Sequence, residues 1–120
     1  MQTPTEQIQL SLEEAERLIE QREKVLRLAG NKDFQDIITD GYLKGEAVRL
    51  THLLAEPTVD TKAVHKDLYA VAALKRFLSG VIRTGDMAES DVQSCKDELE
   101  RIRYEDAQDA ADEVAYANED

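Results

Sequence analysis

Between residues 11 and 30 the apolar side chains fall at Leu12, Ala15, Leu18, Ile19, Val25, Leu26 and Ala29. That i, i+3, i+4 recurrence is one face of an α-helix. Set out as heptads, positions 12, 19 and 26 share one seam position and 15, 22 and 29 the other, with Arg22 as the polar exception. The stretch "SLEE" offers a capping box, in which Ser11 accepts from the Glu14 amide and Glu14 reaches back to the Ser11 amide. Gly30-Asn31 is a stop, since both residues tolerate the left-handed turn beyond a helix C-terminus. Residues 1–10 are expected to form a flexible N-terminal arm, with Pro4 discouraging an earlier helix.

The pattern then shortens. Phe34, Ile37 and Ile38 make a brief apolar stripe, followed by the turn signal Asp40-Gly41. Leu43, Ala47, Leu50, Leu53 and Leu54 resume helical spacing until Pro57, which pushes its predecessor out of the helical region. Two short helices joined near Gly41 are predicted. Gly45 costs a helix about 1 kcal/mol relative to Ala and is assigned to the close approach of another helix.

Thr58 or Asp60 caps a long helix whose apolar face is Val64, Leu68, Val71, Leu74, Leu78, Val81 and Ile82. Thr84-Gly85-Asp86 reads as its end and as the cap of a following helix carrying Met87, Ala88, Val92, Cys95, Leu99 and Ile102. So short a loop permits only an antiparallel return, an αα-hairpin over residues 60–104. Residues 105–120 keep a faint period at Ala107, Ala110, Val114 and Ala117, and read as an acidic tail or frayed helix. The expected architecture is all-α: a small helical bundle of residues 11–104 built around the hairpin, with the N-terminal helix and the short central pair packed against it.

Composition agrees with helices. Of 120 residues, 42% are hydrophobic and 34% charged, a balance suited to slender helices, and there is no Trp. The net charge of −11 argues against binding phosphates directly. Seven acidic residues and no basic one lie in residues 105–120, so most of the excess sits there. The first residues lack the basic and apolar regions of a signal peptide, and no run is long and apolar enough for a membrane span. The single Cys95 permits no intrachain disulfide. A reducing, cytosol-like compartment is expected.

Candidate chemistry is sparse. "GYLKG" has three residues between its glycines and Glu46 after them, which departs from a phosphate-binding loop. His52 and Glu56 have i, i+4 spacing, but the helix is ending at Pro57 and no second histidine lies within a turn. Cys95 falls on the apolar stripe and reads as a small core residue. The tail lacks the glycine and ligand order of a calcium loop. No catalytic, cofactor-binding or metal-binding residues are expected. Interaction residues are. Leu12, Ile19, Val25 and Leu26 form a stripe for a partner helix to cover. Lys75, Arg76 and Arg83 form a basic cluster near a helix C-terminus, where they either oppose the helix dipole or receive an acidic partner, the chain's own tail or a neighbouring subunit.

Asp33-Phe34, Gly41-Tyr42-Leu43, Glu46-Ala47 and Arg49-Leu50, followed by Arg76-Phe77-Leu78 and Gly85-Asp86-Met87-Ala88-Glu89, resemble small helical proteins encoded by tailed bacteriophages. The resemblance covers about residues 10 to 104 and carries no active-site residues. It implies a virion or assembly component, or a small protein acting in the host cytoplasm. Non-catalytic protein–protein interaction is therefore expected, through self-association or with other phage structural proteins, and without nucleic acid or membrane. The alternative is an acidic decoy whose carboxylates stand in for phosphates in the groove of a host nucleic-acid-binding or defence protein.

Overall fold

The computed structural model describes residues 2–118 and is all-α. Helix α1 spans Pro4–Gly30, α2 Lys32–Phe34, a π-helix Gln35–Glu46, α3 Ala47–Leu53 and α4 Thr61–Ala117. The flexible arm expected before residue 11 is helical from Pro4 onward. Proline is well suited to the first helical position, where its missing N–H would have no partner. The capping box lies eight residues earlier than expected, at Thr3 rather than Ser11. Thr3 Oγ1 accepts from the Glu6 amide at 3.1 Å, and Glu6 Oε2 accepts from the Thr3 amide at 3.1 Å. Ser11 is inside the helix, its hydroxyl donating to the Gln7 carbonyl at 3.1 Å.

α1 stops at Gly30 as the pattern indicates, but not through a left-handed residue. Asn31 is extended, with φ −78° and ψ 129°, and its side chain accepts from the Phe34 amide to start α2. The turn expected at Asp40-Gly41 is absent. The chain passes through both glycines as one turn of wide helix after another, with no positive φ among the described residues. A Cβ on Gly41 would meet the Asp36 carbonyl oxygen at 3.0 Å, and one on Gly45 the Asp40 oxygen at 3.2 Å. Both are carbonyls five residues back, the acceptors of a π-helix. These glycines relieve crowding inside their own helix, and no second helix approaches Gly45.

The largest correction concerns α4. It runs unbroken for 57 residues, through Thr84-Gly85-Asp86, so there is no hairpin within 60–104. Of the two cap candidates, Thr58 and Asp60, it is Asp60 that caps it, accepting from the Lys62 and Ala63 amides. The helical hairpin is a larger one. Arg22 bonds Asp86 and Glu89, whereas Leu50 clusters with Val64 and Val71. Partner numbers fall as chain numbers rise, so residues 4–53 form one arm, 54–60 the bend, and α4 the antiparallel return. Fifty-seven residues at about 1.5 Å each give about 85 Å, most of the molecule's 96 Å length. Near the bend, buried Leu50, Val64 and Val71 are packed by Tyr42, Leu43, Ala47, Leu53, Leu54, Val59 and Leu68.

Candidate interaction surface

Ala15 and Arg22, on one seam of α1, are buried against α4, and Leu12, Ile19 and Val25 beside them are half-buried. Their cover is therefore supplied by the same chain. The stripe expected to await a partner helix is largely occupied, and only Leu26 remains exposed, at 45%.

Arg22 and Gly85 close the seam together. A Cβ at Gly85 would fall 2.4 Å from Arg22 Cβ and 2.8 Å from its Cδ, so only glycine leaves room for the arginine stem. Beyond that crossing, Arg22 Nη1 donates to Asp86 Oδ1 at 2.7 Å and to Glu89 Oε2 at 2.9 Å, while Nη2 donates to Glu23 Oε1 at 2.9 Å. The Arg22 side chain is 11% exposed. Its hydrogen bonds to Glu89, Asp86 and Glu23, in that order, raise its pKa above the ordinary arginine value. A charge that loses water needs such partners. This cluster positions the two arms, and its carboxylates are consumed in doing so.

Lys75, Arg76 and Arg83 are all exposed. None has a carboxylate partner among the described residues. They stand in the first half of α4, far from its C-terminus at Ala117, so opposition to a helix dipole does not explain them. Nor are they one patch. Residues seven apart share a helical side, which brings Arg76 and Arg83 together and turns Lys75 to a flank. Around the arginines, Tyr69, Phe77 and Met87 are exposed large apolar side chains. Tyr69 lies outward at 75% exposure, where no covering element reaches.

Residues 105–117, expected as a tail or frayed helix, are the last turns of α4 and are exposed throughout. Residues 119 and 120 lie outside the described residues. Glu105, Asp109, Asp112 and Tyr116 recur at helical spacing along this extension. Arg101 is tied to Glu98 and, at 2.6 Å, to Glu105.

Among the described residues no convergent chemistry stands out elsewhere. An open groove of about 410 Å³ between α1 and α4 is lined by Arg17, Leu18, Gln21, Phe77, Gly80, Val81 and Thr84. Arg17, its one charged member, is held by Glu14 at 2.7 Å. His52 and His65 are exposed, and Cys95 is half-buried on the seam side. Among the described residues no cluster of histidine, cysteine and carboxylate side chains is arranged to hold a metal, and no helix is long and apolar enough to cross a membrane. No protein-family model, curated protein or solved structure matches the chain.

Proposed function

We propose that this chain is a non-catalytic protein–protein interaction or assembly protein, acting in the setting its resemblance implies, a tailed-phage particle or its construction in the host cytoplasm. The observation that supports this best is the outer side of α4. Along it, unpaired Arg76 and Arg83, exposed Tyr69 and Met87, and a row of carboxylates are held at fixed spacing on one stiff rod. Large apolar and charged side chains presented together on a rigid face are the usual makings of a binding surface.

Light scattering after size exclusion, at low and high salt, tests the self-associating form of this reading. A defined multiple of the chain mass is expected. A monomer at both salts contradicts self-assembly as the role.

The decoy reading gains one supporting observation. A phosphate mimic needs carboxylates at fixed spacing, and Glu105, Asp109 and Asp112 sit on helix rather than on loose chain. Competition with duplex DNA for a basic DNA-binding protein checks it, and failure to displace the duplex at any concentration counts against it.

A further inference from the structure

Charge is sorted along α4. Residues 61–85 carry five basic side chains and one acidic, and residues 86–117 carry eleven acidic and three basic. This order runs against the helix's own electrostatics. A macrodipole favours acids in the first turn and bases in the last, and α4 has neither. Something outside the helix is the better account of the pattern.

Arg76 and Arg83 stand seven residues apart on one exposed side, with Lys62 and Tyr69 on the same side nearer the bend. Glu105 and Asp112 are also seven apart, with Asp109 between them and Tyr116 beyond, and Glu105 also accepts from Arg101 at 2.6 Å, which leaves its second oxygen to a further donor. From Arg76 to Glu105, and from Arg83 to Asp112, is 29 residues. At about 3.6 residues per turn that is about eight whole turns, so both rows lie on the same side of the rod. They cannot meet within one chain. The unbroken helix keeps Arg83 and Glu105 about 33 Å apart, at about 1.5 Å per residue.

We infer that the acidic row of one copy docks on the basic row of a second copy, the two α4 helices lying antiparallel about a two-fold axis. The equal spacing sets Arg83 against the second copy's Glu105 and Arg76 against its Asp112. Both pairs have residue 94 as their midpoint, so the axis falls at the exposed, uncharged Ser94. A two-fold contact repeats each pair twice. Tyr69, Met87 and Tyr116 add apolar area along the same side. The −11 charge of each copy opposes approach from afar. At a screening length of about 8 Å in physiological salt, contact responds to local rather than total charge.

This inference rests on the interaction reading and names its partner. Two variants of the full chain test it, Arg76→Glu/Arg83→Glu and Glu105→Arg/Asp112→Arg. The wild type is expected at dimer mass in low salt. Each variant alone sets like charges across both contacts and is expected to run as a monomer. Mixed in equal amounts, the two restore opposite charges at both contacts and return the dimer mass. Circular dichroism checks that each variant stays helical. Should one lose helix, Gln at the same positions replaces it, with a weakened dimer as the expected result. A wild type that associates while the reversals leave its mass unchanged, or variants that do not recombine, overturns this inference and leaves the interaction reading standing. A wild type that is monomeric at every salt overturns the inference together with self-assembly.

Discussion

Gly85 and Gly80 lie five residues apart in one helix and answer the same substitution in opposite ways. Alanine is favoured over glycine in a helix interior by about 0.5–1 kcal/mol. At Gly80 a Cβ meets only the flexible Arg83 guanidinium, at 3.9 Å. Gly80→Ala is expected to stabilise the fold by about that helix-propensity gain. At Gly85 the new Cβ would strike the Arg22 Cβ, which the α1 backbone holds in place. Overpacking costs about 1–3 kcal/mol, and a 2.4 Å approach belongs at the upper end. Gly85→Ala is expected to be destabilising on balance. Urea unfolding of both variants checks the pair, and two changes of the same sign would contradict the account. The sequence held the clue in two irregularities, the polar Arg22 on one seam and Gly85 among the apolar positions of α4. Each looks like a defect until the two are seen to be partners.

At the scale of elements, the all-α class, the seam of α1, its stop at Gly30 and the Asp60 cap were legible because each rests on local spacing or local hydrogen bonding. The break at Thr84-Gly85-Asp86 was misread because turn residues are a local signal. The inward positions 78, 81, 85, 88, 92, 95, 99 and 102 keep an uninterrupted 3–4 rhythm through it. Burial against α1 overrides glycine's weak propensity there. The π-helix was not legible, since its glycines resemble turn glycines in sequence. Of the candidate site, Arg76 and Arg83 were singled out but grouped with Lys75, which the turn of the helix sets on a different side. The acidic partners on the same side could not be seen while the helix was cut in two.

Leu50, 2% exposed, ties α3 to α4 near the bend. Leu50→Ala is expected to cost about 2–5 kcal/mol, with hydrogen exchange accelerating first in α3, and an unchanged melting curve would contradict that packing. Glu14, Glu46 and Glu98 are held below the ordinary carboxylate value, chiefly by hydrogen bonds from Arg17, Arg49 and Arg101. A folded-state pKa below the unfolded one contributes stability above the unfolded value of 4.5 and loses it as pH falls through the folded value. The wild type is expected to exceed a Glu14→Gln/Glu46→Gln/Glu98→Gln variant slightly at neutral pH, because these pairs face water. That difference should vanish in acid. A gap that widened as pH fell would reverse the assignment.

At the scale of the molecule, one antiparallel hairpin presents a 57-residue rod whose basic half and acidic half share a side. The continuity of α4 is what forbids the two halves from pairing within a chain and makes a second copy the fitting partner. The distance between spin labels at Lys66→Cys and Tyr104→Cys, in a Cys95→Ser background diluted with unlabelled protein, tests that continuity most directly. An unbroken helix places these positions 38 residues apart, about 57 Å at about 1.5 Å per residue. A return at Gly85 would lay them side by side, about 10 Å apart, the spacing of packed helices. A single long distance is the predicted result. A short one would contradict the rod and, with it, the pairing in trans.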